Sequence, residues 1–220
     1  MKKSKVTTVL IVVLSLIMLG SVFMIGYELL SRQNDKNEFD KLAELVEETA
    51  SVSANEEIEK ENNYEKDISM LFKQNADFVG WLTIPDSEVN YPVMHTPKNP
   101  EKYLRKNFNG KYSMSGVPFV DYRCKLDSGN IIIYGHNMNN NTMFAHLVNY
   151  LNNDYKNSHQ TILFQTKEEL REYSVIEVRK TDIYDTIYNN LYSEMQDVLI
   201  LSTCYGKKEE RLMVIAKRIK

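Results

Sequence analysis

The chain has 220 residues, of which 43% are hydrophobic, and a formal net charge of −3. This length suffices for one ordinary domain with its own core plus an additional segment. The near-neutral charge gives no reason to expect nucleic acid as a partner, because nucleic-acid binding depends on strongly basic surfaces. Two cysteines are too few for the disulfide framework of a small secreted protein. They could pair with each other, or one could serve as a reactive thiol.

The N-terminus predicts a membrane anchor. "MKKSK" carries three lysines, and no charged residue occurs between Val6 and Tyr27. As a helix this run is about 33 Å long at about 1.5 Å per residue, enough for a bilayer core of about 30 Å. A cleaved signal peptide is the alternative, but the run is long and no small-residue cleavage site follows it. We predict that residues 1–30 form a cytoplasmic tail and transmembrane helix, with everything after them extracytoplasmic.

Residues 31–66 differ in composition from the rest of the chain. They are rich in acidic residues and contain neither glycine nor proline. Phe39, Leu42, Leu45 and Val46 recur at helical spacing, so part of the segment could form an amphipathic helix. We interpret the segment as an acidic extracytoplasmic spacer that holds a domain away from the membrane, in preference to a binding element.

The globular part, residues 67–220, reads mainly as short β-strands. A short helix with an N-cap at Asp67 begins it, and further helices are predicted at 142–152, where Phe144, Leu147, Val148 and Leu151 share a face, and near 186–195. The strands are predicted at 80–84, 89–94, 116–122, 130–135, 161–165, 172–184, 197–204 and 211–219. Many short strands with few helices favour a mostly β fold, a closed and mainly antiparallel eight-stranded barrel with short peripheral helices.

The last two strands bring reactive side chains together. The strand that ends at Cys204 and the one that begins at Arg211 are separated by "YGKKEE", a polar sequence with a glycine that is typical of a hairpin loop. If the strands pair around this loop, Cys204 and Arg211 lie opposite each other and their side chains share one face. Ser202 lies two residues earlier and shares that face. The pattern predicts a thiol, a hydroxyl and a guanidinium at one end of the barrel.

A thiol with an ordinary pKa of about 8.5 is only slightly ionised at neutral pH, so a nucleophilic cysteine needs a proton partner. Of the four histidines, His136 is the best candidate, because it follows the apolar run "NIIIYG" and opens a polar loop. His146 lies within a predicted helix, and His95 and His159 lie in polar loops where we expect them to be solvated. On the residues alone, His136 would more often be structural than catalytic. No residues have metal-ligand spacing, so neither a metal nor a cofactor is expected.

Three motifs resemble those of the sortases, the membrane-anchored cysteine transpeptidases of Gram-positive bacteria. They are "YGHNM" (134–138), "LSTC" (201–204) and the arginine that opens the last strand, Arg211. "GWLTIPDSEVNYPVM", "FVDYR" and "NIIIYGHNMNNNTMFAHLVNYLN" are most similar to class B. The resemblance covers residues 67–220 together with the anchor. It implies a catalytic domain with a sortase-like barrel at the cell membrane.

The resemblance also implies a chemistry. Cys204 would attack the carbonyl carbon of a threonine in a C-terminal sorting motif and form a thioacyl-enzyme. His136 would protonate the leaving amine, and Arg211 would donate hydrogen bonds to the oxyanion or the substrate backbone. Ser202, Asn137 and Tyr205 are candidate substrate contacts. The implied partners are surface proteins that carry a sorting signal and an amine of a peptidoglycan precursor or pilin.

Other cysteine enzymes fit less well. Papain-like peptidases place the cysteine before the histidine, and L,D-transpeptidases place it in a Ser-His-Gly-Cys context, which "LSTCYG" lacks. A non-catalytic, membrane-tethered β-barrel that binds wall or protein ligands is the alternative from another functional class. We interpret Cys124 as an incidental thiol near the core in preference to a second nucleophile. We interpret Arg123 as the ion-pair partner of an acidic residue in preference to a contact to substrate at the rim of the site.

Overall fold

A single helix dominates the N-terminal quarter of the chain. The computed structural model describes residues 2–53, 64–127, 129–188 and 196–220. Helix α1 spans Lys2–Ser53, about 78 Å at about 1.5 Å per residue. Its first part presents apolar side chains such as Leu16 and Phe23 to the outside, and by length and composition this helix could cross a membrane.

Part of the predicted spacer packs against the barrel. Phe39, Leu42 and Val46 are buried, while Leu45, at the edge of this face, is exposed. The amphipathic pattern noted in the sequence therefore corresponds to a packed face of α1. The limits of the three predicted regions, 1–30, 31–66 and 67–220, stay a prediction, and residues 54–63 lie outside the described part of the chain.

The described residues contain eight strands that close into a barrel in the order β1-β2-β3-β4-β7-β8-β6-β5. The strands are β1 (Phe78–Thr83), β2 (Asn90–Met94), β3 (Phe119–Val120), β4 (Ile131–Tyr134), β5 (Thr161–Gln165), β6 (Leu170–Asp182), β7 (Val198–Cys204) and β8 (Glu210–Arg218). Two neighbouring pairs, β2–β3 and β4–β7, are parallel, and the other pairs are antiparallel. The predicted barrel is confirmed.

Strand β4 shows why its sequence lacks alternation. Ile131, Ile132 and Ile133 are all completely buried, because β4 lies between β3 and its parallel neighbour β7 and is covered on both faces. Strand β3 is much shorter than the predicted segment 116–122. Gly116 has φ 60°, and Pro118 has no N–H to donate, so regular pairing begins only at Phe119.

Within the globular part, the helices are shorter or tighter than the sequence predicts. Helices α2 (Ser69–Gln74) and α3 (Asn153–Ser158) are α-helical, whereas Lys102–Arg105, Phe144–Leu151 and Thr186–Tyr188 are 3₁₀-helices. In the second of these the buried residues are Phe144, Leu147 and Tyr150, a spacing of three that matches three residues per turn. Leu151, predicted on the buried face from α-helical spacing, is exposed. Most of the helix predicted near 186–195 lies outside the described residues.

Candidate active site

The three predicted catalytic residues line one cavity. It has a volume of about 540 Å³ and lies where the parallel strands β4 and β7 end. His136, Cys204 and Arg211 are all among its lining residues. The side chains of Phe119, Tyr134 and Tyr188 add an aromatic wall, so the cavity combines a few reactive groups with apolar surface, as small-molecule and peptide sites commonly do.

The hairpin between β7 and β8 places the thiol opposite the guanidinium. Cys204 pairs with Arg211 in the antiparallel register, as the loop length predicts. The Tyr205 N–H donates to the Glu210 carbonyl over 3.1 Å and closes the loop. Cys204 is the first exposed residue of β7, which is otherwise buried. The earlier side chains of β7 are therefore buried in the core, while the Cys204 thiol at its end faces the cavity.

The loop also holds Arg211. Its Nη1 donates to the carbonyl oxygens of Lys208 and Glu210 over 2.8 and 2.9 Å. No other hydrogen bond of this guanidinium joins residues that the structure describes. Because the guanidinium has five N–H donors in a fixed plane, two bonds at one nitrogen orient the fork and leave donors for a ligand.

Strand β4 brings His136 to the same end of the barrel. The Gly135 N–H donates to the Ser202 carbonyl over 3.2 Å, and the Thr203 hydroxyl donates to the Gly135 carbonyl over 2.7 Å. These bonds tie the exit of β4 to the end of β7. A Cβ at position 135 would lie 2.6 Å from the ring of Phe144, so only glycine allows this close approach.

A backbone carbonyl orients the imidazole of His136. Nε2 lies 2.9 Å from the carbonyl oxygen of Leu104, in the 3₁₀-helix Lys102–Arg105. Since a carbonyl can only accept, Nε2 carries the hydrogen, and Nδ1 is the nitrogen that gains or loses a proton. Burial lowers the pKa of His136; the Leu104 carbonyl opposes this shift, Arg105 adds to it, and the net pKa is below the ordinary 6.5.

The three predicted substrate contacts occupy different places. Ser202 lines the cavity but is buried, and its hydroxyl lies 2.8 Å from the hydroxyl of Tyr188. Asn137 and Tyr205 are not among the cavity-lining residues. The side-chain amide of Asn137 donates to the Cys204 carbonyl over 3.0 Å, and the half-buried ring of Tyr205 has the Lys180 ammonium 4.8 Å from its centroid.

An ion pair between the buried Asp121 and the partly exposed Arg123 supports the aromatic wall. Arg123 binds Asp121 through two bonds, Nε to Oδ1 at 2.9 Å and Nη2 to Oδ2 at 2.7 Å, and the Tyr134 hydroxyl also donates to Oδ2 at 2.8 Å. Burial alone would raise the pKa of Asp121, but the bonds from Arg123 and Tyr134 outweigh it and the net pKa is lowered. The structure confirms the ion pair expected for Arg123.

Cys124, His95 and His159 lie outside the cavity that contains Cys204. Both cysteines are free; Cys124 is buried, and burial raises the pKa of its thiol to about 11. The two histidines expected to be solvated are partly buried instead. His159 stacks on Tyr155 with ring centroids 3.8 Å apart, and burial lowers the pKa of His95. Neither lines the cavity that contains Cys204.

Two groups of the site, the Leu104 carbonyl and Tyr188, are not predicted from the sequence. The Leu104 carbonyl was missed because any residue type can present a backbone carbonyl. Tyr188 was missed because it was one of fourteen tyrosines with no distinguishing motif. Tyr188 is identified as part of the site only by its hydrogen bond with Ser202 at the end of the barrel.

Comparison with known proteins places this site in a family. The family model for the sortase domain matches residues 82–219. Sortase B of Listeria monocytogenes is 35% identical over 182 residues, covering 78% of this chain and 70% of the relative. Sortase B of Staphylococcus aureus is 29% identical over 180 residues, covering 68% of this chain and 73% of the relative.

Solved structures agree with these relatives. A Staphylococcus aureus sortase B–substrate complex superposes with a TM-score of 0.72 at 25% identity, covering 87% of this chain and 99% of that one. Sortase B from Bacillus anthracis in complex with AAEK1 gives a TM-score of 0.69 at 25% identity, with the same coverage. These matches favour an enzyme over a non-catalytic tethered barrel. The chain therefore belongs to the sortase family, is most similar to class B, and is a sortase-type cysteine transpeptidase.

Proposed function

We propose that Cys204 is the nucleophile of this transpeptidase and that it acts on a C-terminal sorting motif after threonine. The observation that carries the proposal is the meeting of Cys204, His136 and Arg211 in one cavity at the barrel end. The thiolate sulfur forms a bond to the threonine carbonyl carbon, and the C–N bond of the scissile peptide breaks. The products of this half-reaction are a thioacyl-enzyme and a free amine on the released C-terminal peptide.

His136 is the proton carrier in both half-reactions. With Nε2–H donated to Leu104, Nδ1 takes the proton of the Cys204 thiol, which leaves the attacking thiolate, and then gives this proton to the leaving nitrogen as the C–N bond breaks. In the second half-reaction Nδ1 takes a proton from the attacking amine, the new amide forms, and the cysteine leaves as thiolate. The depressed pKa of His136 keeps the imidazole unprotonated at neutral pH in most molecules, which suits the base role.

Arg211 supplies electrostatic stabilisation. It lies opposite Cys204 across the hairpin, and its fork is oriented by the loop carbonyls. Charge develops on the carbonyl oxygen of the tetrahedral intermediate, and N–H donors fixed in advance stabilise this oxyanion. The same donors could instead hold the substrate backbone. Ser202, Asn137 and Tyr205 are proposed to contact the substrate around this centre.

The proposed partners are surface proteins with a C-terminal sorting signal and an amine of a peptidoglycan precursor or pilin. Residues 1–30 are proposed to anchor the protein in the cell membrane in a single pass. The lysines that precede the apolar run favour a cytoplasmic N-terminus, which puts residues 67–220 on the extracytoplasmic side. There the domain would meet both the sorting signal and the wall precursor.

The test uses the full chain in detergent micelles with a small library of fluorogenic sorting peptides. We expect cleavage of at least one peptide, loss to background with Cys204→Ala or His136→Ala, and a fall of about 100-fold or more with Arg211→Ala. Arg211→Lys should be nearly as damaging, because an ammonium cannot reproduce the planar fork. Cys124→Ala is the matched control and should retain activity, since that thiol is buried away from the cavity.

Cleavage that survives Cys204→Ala or His136→Ala would contradict the mechanism. If no peptide is cut by the wild type while Cys204 still reacts with an alkylating reagent, the assignment of a sorting-motif substrate fails before that of the nucleophile. Transfer to the acceptor is followed separately, by adding amines of the wall-precursor type and detecting the ligated peptide by mass.

A further inference from the structure

Helix α1 contacts the catalytic domain through part of its C-terminal half. Phe39 of α1 packs edge-on against Tyr91 of β2, with ring centroids 5.5 Å apart and planes at 83°. Phe39, Leu42 and Val46 are buried against the domain. The segment Asp35–Val46 of α1, named here the docked segment, is therefore part of the packed domain although it continues the helix that could span the membrane.

Two carboxylates of the docked segment hold one loop, residues 106–116. Asp35 is 94% buried and accepts a hydrogen bond of 2.7 Å from the Ser113 hydroxyl, which is itself fully buried. Glu38 accepts from the side-chain amides of Asn107 and Asn109, the latter over 3.0 Å. Hydrogen bonds to a carboxylate are stronger than neutral ones, particularly where water is excluded. The loop is thus fixed to α1 at both of its ends.

Ser113 connects Asp35 to the backbone at Gly116 through hydrogen bonds. Its Oγ accepts the N–H groups of Ser115 and Gly116, each over 3.1 Å, while its hydroxyl hydrogen goes to Asp35. Gly116 has φ 60°, and a Cβ there would lie 2.6 and 2.7 Å from the carbonyl oxygens of Tyr103 and Leu104. The backbone at Gly116 therefore lies directly against the carbonyl that receives His136 Nε2.

The same loop also forms hydrogen bonds with the 3₁₀-helix Lys102–Arg105, which contains Leu104. The Ser113 N–H donates to the Arg105 carbonyl and the Val117 N–H to the Tyr103 carbonyl, each over 3.1 Å. Arg105 Nη1 donates to the Met114 carbonyl over 2.9 Å. The hydrogen bonds of Tyr103 and Arg105, the neighbours of Leu104 in the chain, thus depend on the loop conformation that Ser113 and Asp35 stabilise.

We propose that Asp35 and Ser113 are positioning residues for His136, so that the base of the membrane anchor sets the orientation of the proton carrier. The inference rests on the proposed role of His136. If the Asp35–Ser113 bond is lost, the loop loosens, the Leu104 carbonyl shifts, and the imidazole is no longer held in the Nε2–H form. Proton transfer depends steeply on such alignment, since an error of about 1 Å can cost about 100-fold in rate.

The experiment compares three variants of the full chain in detergent micelles. Asp35→Ala removes the acceptor, Asp35→Asn keeps an oxygen that accepts the Ser113 hydroxyl, and Glu44→Ala removes an exposed carboxylate of the same helix. Activity is expressed per reactive Cys204 thiol, so that unfolded protein does not count. We expect Asp35→Ala to lower kcat by about tenfold with KM changed less than about twofold, and we expect Asp35→Asn and Glu44→Ala to stay near wild type.

A second readout does not need activity. Imidazole ¹⁵N resonances distinguish the Nε2–H from the Nδ1–H form, and the His136 signal is assigned by its disappearance in His136→Gln. We expect wild type, Asp35→Asn and Glu44→Ala to show the Nε2–H form and Asp35→Ala to show a mixture. If Asp35→Ala does not fold, Ser113→Ala takes its place with the same expectation.

The proposal is overturned if Asp35→Ala, or Ser113→Ala in its place, retains both wild-type kcat per thiol and a pure Nε2–H form. It is also overturned if Asp35→Asn is as impaired as Asp35→Ala, since the hydrogen bond would then not be the cause. Should the tautomer change in Asp35→Ala while wild type cuts no peptide, the coupling stands and the proposed function fails.

Discussion

At the scale of single residues, the environment of His136 is set by a neutral partner. In many cysteine and serine enzymes an acidic side chain orients the histidine and stabilises its charged form. Here the partner is the Leu104 carbonyl, which carries no formal charge, and Tyr205 and Gly206 follow the cysteine where an acid would be nearest in sequence. Burial therefore dominates, and the pKa of His136 is lowered.

This lowered pKa predicts how stability changes with pH. The unfolded chain binds a proton at His136 near pH 6.5, whereas the folded protein does so only at lower pH. Because the unfolded state then binds more protons, the free energy of unfolding falls as pH drops through and below 6.5. Burial of His95 contributes with the same sign.

Urea unfolding of the full chain between pH 7.5 and pH 5 measures this slope. His136→Gln, which can still donate to the Leu104 carbonyl, should flatten the slope in part, since His95 and the carboxyl groups with shifted pKa values still contribute. A free energy of unfolding that is constant or rises on acidification over this interval would contradict the expectation.

At the scale of elements, the short 3₁₀-helix Lys102–Arg105 depends on a glycine for its placement. Gly110 and Gly116 both have positive φ, 76° and 60°, but a Cβ at Gly110 would meet nothing within 4 Å. Alanine at either position costs about 1–2 kcal/mol for the left-handed backbone. At Gly116 the new methyl group would also press on two backbone carbonyls, which adds about 1–3 kcal/mol of overpacking.

Gly116→Ala should therefore lower the free energy of unfolding more than Gly110→Ala, by about 1–3 kcal/mol in urea titrations. It should also impair peptide cleavage, since one of the two carbonyls is that of Leu104, whereas Gly110→Ala should keep nearly full activity per folded molecule. Equal effects of the two substitutions on both measurements would show that the contact with Leu104 has no consequence.

At the scale of the whole molecule, α1 unites a segment that could span the membrane with a segment that packs on the barrel. Phe39 is 4% exposed, and Leu45, six residues further along the same helix, is 37% exposed. We expect Phe39→Ala to destabilise the folded chain by about 3 kcal/mol or more, as for other buried phenylalanines. Leu45→Ala should cost less than about 1 kcal/mol.

Chemical denaturation of the two variants in the same detergent distinguishes docking from a loose tether. A cost below about 1 kcal/mol for Phe39→Ala would mean that the docked segment does not pack stably on the domain. A large cost would show that the catalytic domain includes part of the segment that composition alone assigns to a spacer.

The sequence determined those features that depend on neighbours along the chain. The strands follow from apolar runs between turn residues, and the register that sets Cys204 opposite Arg211 follows from a six-residue loop between two strands. His136 could be selected because an apolar strand ends directly before it. The 3₁₀ form of Phe144–Leu151 could not be predicted from the sequence, since three-residue and four-residue spacings overlap in so short a segment.

Only the tertiary structure decided what surrounds the candidate site. His136 lies 32 positions along the chain from Leu104, whose carbonyl it contacts. Tyr188 and Ser202 are hydrogen-bonded although they are 14 positions apart. Asp35 and Ser113 are hydrogen-bonded although they are 78 positions apart. No residue pattern encodes such contacts, because a backbone carbonyl has no side-chain identity and because periodicity within one helix or strand does not specify which distant residue it will contact. Closure of the barrel and packing of α1 against it create these contacts, by burying surfaces that are far apart in the chain.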